Sequence, residues 1–173
     1  MAAPADVAAV DRFLAGRKTL FGAPPEFGPS NFNRKGQFEW HAIWPIADDI
    51  GVVTTGQLRI VVRPGVDPRP SLSVIFNSQC VTRLDVCPAD ECEANAHWAE
   101  ACGLPAIVCG PHIHAWEHNR GHLLSVDGWS LDCREPLPVQ IRRFAQAFPA
   151  LADRINLVLT PDQRLFEIPL RLV

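Results

Sequence analysis

Four short runs of residues between positions 38 and 86 alternate apolar and polar side chains, and no helical segment separates them. Successive side chains of a β-strand point to opposite faces, so a period of two is typical of strands that are buried on one side. Runs of strands joined by turns favour an antiparallel sheet over alternating β–α–β units. The predicted strands cover residues 38–44, 57–63, 71–77 and 79–86.

Helical periodicity is found outside these runs. Residues 5–15 place apolar side chains at helical spacing, and a glycine follows them as a stop signal. Residues 88–102 mix acidic residues with alanine and predict a short helix. An amphipathic helix is predicted over residues 138–148, which Pro149 must kink or end. The C-terminal residues 156–168 predict a hairpin.

Together these elements predict an α+β fold. Its core is an antiparallel sheet of about five to seven strands, with an N-terminal helix and a helix near the C-terminus packed on one face. We expect a single domain over residues 1–173, because this length suits one core and no linker divides it. Residues 79–86 and 110–118 are expected to form neighbouring strands, or strands separated by one other, with the second helix covering Leu84 and Ile113.

The sequence disfavours three classes of protein: those whose whole surface binds nucleic acid, secreted proteins and membrane-spanning proteins. The net charge of −3 argues against a protein whose whole surface binds nucleic acid, although a local basic face stays possible. The first residues carry charges and lack the apolar run of a signal peptide, and no stretch approaches the 18 apolar residues that span a membrane. We therefore expect a cytoplasmic protein without membrane contact, whose six cysteines are reduced.

Four of the six histidines lie within eleven residues, between His112 and His122. Imidazole titrates near neutral pH and is the commonest metal ligand, so the cluster indicates a site. On a strand over residues 110–118, His112 and His114 share one face and Ile113 lies on the other. If Ile113 enters the core, both histidines project from the outer face of the sheet.

The same alternation on the neighbouring strands adds charged side chains to that outer face. An outer face of arginine and aspartate is also what an ordinary solvated sheet presents. Paired histidines beside an indole are less common on such a surface, which favours a functional face. The predicted face consists of Arg59, Arg63, Arg83, Asp85, His112, His114 and Trp116.

Metal-free cleavage of a phosphodiester, with RNA as the substrate, is the first chemistry that this face could support. One histidine would be the general base and the other the general acid, while an arginine stabilises negative charge on the phosphoryl group. No cofactor is needed. The catalytic residues would be His112, His114, Arg83 and Asp85, and the substrate-binding residues Trp116, Arg59, Arg63 and His118.

A metal-dependent hydrolase is another interpretation of the same cluster. His112 and His114 lie roughly 7 Å apart along a strand, within reach of one zinc ion. Asp85, His97 or His118 could supply the third ligand that a catalytic zinc needs.

Four cysteines and histidines at equal spacing also suggest a structural zinc site. Ligands five residues apart on a helix spread around its axis, however, and known zinc motifs start with a closer pair. We therefore favour buried, reduced cysteines over a zinc site here. The residues concerned are Cys87, Cys92, His97 and Cys102.

A non-enzymatic role is the remaining alternative. Tryptophan and arginine are enriched at the centres of protein interfaces, so the same face could bind a partner protein. The chain would then be an accessory or inhibitory protein of a mobile genetic element.

Three short motifs follow one another in the second half of the chain: Arg83-Leu84-Asp85, Asn95-Ala96-His97, and the sequence Gly-Pro-His-Ile-His-Ala-Trp-Glu over residues 110–117. In these motifs the chain resembles a family of small bacterial and prophage-borne proteins of unknown function. The resemblance covers residues 70–150, and the cysteine-rich insert before Gly110 departs from it. The family has no established activity, so the resemblance implies where the site lies and not which reaction it performs.

Overall fold

A computed structural model describes residues 6–30, 38–63, 69–123 and 130–169. The helices are α1 (Val7–Ala15), α2 (Trp116–Asn119), α3 (Phe144–Arg154) and α4 (Pro161–Arg164), with a short 3-10 helix at Glu100–Cys102. The strands are β1 (Lys18–Leu20), β2 (Gly28–Ser30), β3 (Glu39–Asp48), β4 (Val53–Arg63), β5 (Arg69–Phe76), β6 (Gln79–Asp85), β7 (Cys92–Ala94), β8 (Ile107–Cys109), β9 (His112–His114), β10 (Glu135–Pro136) and β11 (Leu157–Val158).

Nine strands form one mostly antiparallel sheet in the order β10-β9-β6-β5-β4-β3-β1-β11, with β2 paired to β3. β7 and β8 form a separate two-stranded ribbon. The α+β class is confirmed, but the sheet has more strands than the five to seven that we predicted. The additional strands contain only two or three residues each. Segments this short cannot display a period of two, which is why the sequence did not reveal them.

The apolar side chains of the long strands and of the helices meet in one core. Leu58, Ile60 and Val62 of β4 are completely buried, as their alternation predicted. Phe144 and Phe148 of α3 belong to the same cluster of buried residues. The N-terminal helix joins this core through Val10 and its neighbours. Burial of these side chains, rather than helix propensity, stabilises such short helices in the fold.

β6 and β9 are adjacent antiparallel strands, which confirms the predicted pairing. Leu84 lies opposite Ile113, and both are buried in the core. The same two residues line a shallow groove with Ala150, so α3 covers this face as we expected. The face assignment of Ile113 therefore holds.

The predicted helix over residues 88–102 is wrong. The segment contains β7, which pairs with β8, and only the short 3-10 helix is helical. Cys92 and Cys109 lie directly opposite each other in this ribbon and form a disulfide, so these two cysteines are not reduced thiols as predicted. Pairing with Ile107 and Val108 outweighs the helical preference of alanine and glutamate, which amounts to only fractions of a kcal/mol per residue.

Two further elements end differently from the prediction. The strand over residues 110–118 stops at His114, and α2 begins at Trp116. The C-terminal hairpin does not form, because β11 pairs in parallel with β1 and a turn of helix follows it. Thr160 caps that turn, and Gln163 completes the capping box.

α3 runs through Pro149 to Arg154, so the proline does not end the helix as expected. Pro149 costs the helix one backbone hydrogen bond, and the burial of Leu151 and Ala152 beyond it offsets that loss. Among the described residues, no helix has the length and apolar character needed to cross a membrane.

Candidate functional site

Two rows of polar side chains cross the face of the sheet that lies opposite the apolar core. Within each row, residues on successive strands are directly opposed in register. This face is therefore the one that the alternation of β4, β6 and β9 predicted. The first row is Arg59, Ser73, Arg83 and His114, and the second is Ser71, Asp85 and His112.

His114 is held through both of its ring nitrogens. Its Nδ1 forms a hydrogen bond with the carbonyl oxygen of Leu131, which can only accept, so Nδ1 carries the proton. Nε2 then has the lone pair, and it accepts a hydrogen bond from Arg83 Nη2 at 2.8 Å. Burial lowers the pKa of His114, with Arg83 adding to the effect and Asp85 opposing it. The ring is consequently neutral near pH 7.

His112 has the same tautomer but a freer second nitrogen. Its Nδ1 donates to the carbonyl oxygen of Gly110 at 2.9 Å. Gly110 has a φ of 76°, a left-handed conformation that suits glycine, and this turn aims its carbonyl back at the ring. Nε2 of His112 lies 3.7 Å from Asp85 Oδ2, which is too far for a hydrogen bond. The Nε2 lone pair is therefore available.

Arg83 and Asp85 form the charged centre of the site. Arg83 Nε donates to Asp85 Oδ2 at 2.7 Å, and the Ser71 hydroxyl donates to Oδ1 at 2.5 Å. Burial raises the pKa of Asp85, but the Arg83 guanidinium and the Ser71 hydroxyl hold it well below its usual range. Asp85 is thus a carboxylate, and Arg83 uses one edge of its guanidinium to bind both Asp85 and His114.

The histidines lie on the predicted face, but this part of the face is covered. His112 and His114 are only 3% and 1% exposed. The chain segment 130–135 packs beside them: Leu131 accepts a hydrogen bond from His114, and Glu135 pairs with Ile113 of β9. Two asparagines bind the backbone of this segment. Asn119 donates to the carbonyl oxygen of Cys133 and accepts from its N–H, and Asn95 makes the same pair of bonds to Arg134. The expectation of an open, solvated face is therefore wrong at this end of the sheet.

A polar cavity of about 280 Å³ gives access to the site from the side of β5 and β6. His112, Asp85 and Arg83 line it, whereas His114 lies behind them and does not. The cavity can hold a small polar group such as a phosphate. Its rim contains Arg63, Arg69, Ser71, Cys87, Glu91 and Glu93.

The rim arginines are both paired with carboxylates. Arg63 Nε lies 2.8 Å from Glu39 Oε1, and Arg69 Nη1 lies 2.6 Å from Glu91 Oε2. Arg59 is on the same face, but it does not line the cavity, and its Nη2 lies 3.4 Å from His41 Nδ1. Of the two predicted substrate-binding arginines, the fold brings only Arg63 to the cavity.

Trp116 and His118 are not part of this cavity. Trp116 is the first residue of α2 and is buried in the core, with its indole N–H donating to Asp11 Oδ1 at 2.7 Å. The strand ends before this position, so the alternation that placed Trp116 beside His114 does not reach it. His118 lies near Glu117 and Glu135, where these three side chains form a separate group of potential metal ligands.

The four candidate ligands of a structural zinc site, which we had ranked below reduced cysteines, do not assemble. Cys92 is bonded to Cys109, and Cys87 is on the rim of the cavity. His97 and Cys102 are exposed and belong to neither group of three potential metal ligands among the described residues. The equal spacing along the chain has no counterpart in space, because the segment is a ribbon and a loop.

Within the part of the chain that the structure describes, two groups of side chains could hold a metal ion. In the first, the ligand atoms of Asp85, His112 and His114 all lie within 4.8 Å of one another. The second group, Glu117, His118 and Glu135, offers one imidazole instead of two, and Arg154 Nη2 lies 2.5 Å from both of its carboxylates. Two imidazoles and one carboxylate are a common ligand set for zinc and for Fe(II). The first group is the better candidate.

Several residues of the site escaped the sequence reasoning. Ser71 could have been found, because the period of two in its strand places it on the outer face. Asn95 belongs to one of the three motifs of the resemblance, whereas Asn119 had no local signal; their backbone partners lie 39 and 14 residues away along the chain. Comparison with known protein families, with curated proteins and with solved structures gave no match for this chain.

Proposed function

We propose that this chain is an enzyme that cleaves phosphodiester bonds, with RNA as its substrate class, and that His112 is the general base. The observation that carries the proposal is the state of His112. The Gly110 carbonyl holds its proton on Nδ1, and the lone pair of Nε2 faces a polar cavity that Arg83 also lines. A base with this orientation needs no metal ion to accept a proton.

The reaction would begin with His112 Nε2 accepting a proton from the attacking hydroxyl group. For RNA that group is the ribose 2′-OH, whose oxygen attacks the adjacent phosphorus while the 5′-oxygen leaves. Negative charge then develops on the phosphoryl oxygens. A positive group fixed in advance at that position lowers the barrier.

Arg83 is suited to stabilise that charge. Asp85 and His114 bind its Nε and Nη2, which leaves Nη1 outside both bonds and fixes the plane of the guanidinium. Arg63 and Arg69 at the rim would bind neighbouring phosphates if they release their carboxylates. In this assignment Asp85, Ser71 and His114 position Arg83.

The role of His114 differs from the general acid that the sequence suggested. Both of its nitrogens are engaged, and the residue does not line the cavity. It cannot deliver a proton to the leaving oxygen from this position, so the leaving group would take its proton from water. We therefore propose a mechanism with one catalytic histidine, the base His112, in place of the acid–base pair of histidines.

The test is a cleavage assay on mixed RNA and single-stranded DNA, with and without a chelator. We expect the wild type to cut RNA, EDTA to have no effect, and His112→Gln to lose about 10²- to 10⁴-fold in rate, the usual contribution of a general base. Arg83→Lys should also be impaired, because lysine offers a point charge in place of a planar fork. His97→Gln, an exposed histidine outside the cavity, is the matched control.

Each other result would reject part of the proposal. Intact substrate in every lane would reject the nuclease and favour a partner-binding accessory or inhibitory protein. Cleavage that EDTA abolishes would replace the proposed mechanism with a metal-dependent hydrolase, with zinc as the first metal to test. If His97→Gln lost as much of the cleavage rate as His112→Gln, the substitutions would act through folding and not through the base.

The proposal extends to the compartment and the source of the protein. We propose a location in the bacterial cytoplasm, where RNA is abundant, and the resemblance to prophage-borne proteins stays a prediction of the same kind. The Cys92–Cys109 disulfide is an argument against the cytoplasm, since disulfides persist mainly in oxidising compartments. Alkylation of the protein in intact cells, followed by a non-reducing gel, measures which state is present.

A further inference from the structure

Three atoms with lone pairs lie close together: a carboxylate oxygen of Asp85 and Nε2 of His112 and of His114. The reaction proposed above uses only the lone pair of His112. Both histidines carry their protons on Nδ1, where the carbonyl groups of Gly110 and Leu131 accept them. Nε2 of each ring therefore faces the Asp85 carboxylate as an acceptor. A backbone carbonyl bound to the distal ring nitrogen is the usual way in which proteins orient a metal-binding histidine.

We infer that Asp85, His112 and His114 bind a divalent transition-metal ion such as Zn²⁺, and that Arg83 must leave the site for the ion to enter. The metal would then act as a regulator of the site. Metal binding does not depend on the proposed function. Only the inhibition of RNA cleavage, described below, rests on the proposed function.

The distances suit such an ion. Asp85 Oδ2 lies 3.3 Å from His114 Nε2 and 3.7 Å from His112 Nε2. Ligands at about 2.1 Å from a tetrahedral zinc are roughly 3.4 Å from one another. Asp85 Oδ2 is thus near the edge length of a coordination polyhedron from each nitrogen, and all three ligand atoms lie within 4.8 Å of one another. The cavity leaves a further position open to water or an anion.

In this structure, Arg83 occupies the position that the ion would take. Its Nε lies 2.7 Å from Asp85 Oδ2 and its Nη2 lies 2.8 Å from His114 Nε2, so it covers two of the three lone pairs. A guanidinium and a metal ion cannot use the same lone pairs, and their positive charges repel each other. The Arg83 side chain is 40% exposed, which gives it room to swing toward solvent. One cation therefore exchanges for another, and the buried carboxylate stays neutralised in both states.

The exchange would inhibit cleavage of RNA. A bound metal takes the Nε2 lone pair that His112 needs as a base, and it removes Arg83 from the position where it stabilises the phosphoryl group. The metal-free state is then active and the metal-loaded state inactive. This is the reverse of a metalloenzyme, and it separates the inference from the alternative of a metal-dependent hydrolase.

Equilibrium dialysis against Zn²⁺ and absorption spectra with Co²⁺ test the inference on the full chain. We expect one ion per chain. His112→Ala should weaken binding more than about 100-fold, since loss of an outer-shell partner alone costs about 10- to 100-fold. His97→Ala, which removes an exposed histidine, should bind as the wild type does.

Arg83→Met gives the decisive measurement, because a misfolded variant cannot mimic its expected effect. Removing the competitor should make Zn²⁺ binding tighter. If the conformer with Arg83 displaced is populated to about one-tenth in the wild type, the gain is about tenfold. Arg120→Met, which removes an exposed arginine on the surface, controls for the change in net charge and should leave the affinity unaltered.

The inference fails if neither the wild type nor Arg83→Met binds Zn²⁺, if Arg83→Met binds no tighter, or if His112→Ala binds equally well. Thiolate charge-transfer bands in the Co²⁺ spectrum would assign the metal to cysteines and would also overturn it. Tight binding in a protein that cleaves no RNA would reject the proposed function and leave the metal site standing. Cleavage that Zn²⁺ does not inhibit would reject the regulatory role.

Discussion

Asp85 and His112 are directly opposed across the β6–β9 ladder, and 3.7 Å separates the carboxylate Oδ2 from the imidazole Nε2. Their register is determined by the pair beside them, because Leu84 and Ile113 are both buried on the other face. A slip of β9 by one residue would turn the imidazole into the apolar core, at a cost of several kcal/mol. The core therefore determines which residues meet in the site.

Asn119 should be the most sensitive polar residue outside the site. It is completely buried, and its amide binds the carbonyls of Ala115 and Cys133 and the N–H of Cys133. We expect Asn119→Ala to cost roughly 3 kcal/mol of unfolding free energy, because an unsatisfied buried polar group costs about 1–3 kcal/mol. Urea denaturation measures the loss.

Asn95→Ala is the matched comparison for this prediction. Asn95 makes the same type of bond to the next residue, Arg134, but it is only half-buried, so water can replace the lost bonds. The loss of unfolding free energy in Asn95→Ala should therefore be smaller than in Asn119→Ala, by about 1 kcal/mol or more. Equal losses in the two variants would mean that the asparagines do not hold the segment in the way described here.

Phe148 tests the apolar core that carries the sheet. It is 1% exposed, and its ring stacks with Phe144 and faces Trp44. Phe148→Ala should cost about 3–5 kcal/mol, the range found for truncating a buried aromatic residue. Phe38, which is 49% exposed, serves as the control, and Phe38→Ala should cost about 1 kcal/mol or less. Similar losses at both positions would contradict the core assignment.

His114 should make the protein less stable in acid. Its pKa in the folded chain lies below the ordinary value of 6.5, with burial as the largest cause. Below pH 6.5 the unfolded chain therefore takes up a proton that the folded chain refuses, so the free energy of unfolding falls as the pH drops. Denaturation midpoints at several pH values from 7.5 downward measure this slope.

A variant pair separates His114 from the other titrating groups. His114→Gln should show a shallower fall in stability through the same pH range, and His97→Gln should keep the wild-type slope because His97 is exposed. Asp85 adds a second loss at lower pH, since its carboxylate is stabilised only in the folded chain. Parallel curves for all three proteins would show that His114 is not held neutral.

The sequence allowed much of the site to be predicted, since its geometry follows from the alternation of side chains in strands. Arg83, Asp85, His112 and His114 were placed on one face, and the ladder between β6 and β9 brings them together. What alternation could not show is where a strand ends. Trp116 lies two residues beyond His114, yet the chain has already begun α2 there, so its side chain enters the core.

Contacts between distant segments account for the other differences. The ribbon of β7 and β8 forms because two short segments pair across a loop, and neither shows a period of its own. The cover over His114 depends on Asn119 and Asn95, whose partners are remote in the chain. Local patterns indicate which face a side chain occupies, whereas the layer that covers the face is determined by tertiary structure.

Lys18 should give a pH dependence of the same sign as His114, but in the alkaline range. It is 2% exposed, and its ammonium group donates to the carbonyls of Leu14 and Gly16 at the end of α1. Burial lowers its pKa to about 8 from an ordinary value of 10.5. Between these values the unfolded chain keeps the proton and the folded chain has released it, so Lys18 favours the folded state increasingly as the pH rises.

The measurement is the difference in unfolding free energy between the wild type and Lys18→Met, because thiols also titrate in this range. Methionine keeps the apolar stem of the side chain but has no charge to desolvate. We expect the difference to be constant below pH 8 and to shift toward the wild type between pH 8 and 10.5. A difference that stays constant over the whole range would mean that Lys18 keeps its ordinary pKa, and that its bonds to the two carbonyls compensate for burial.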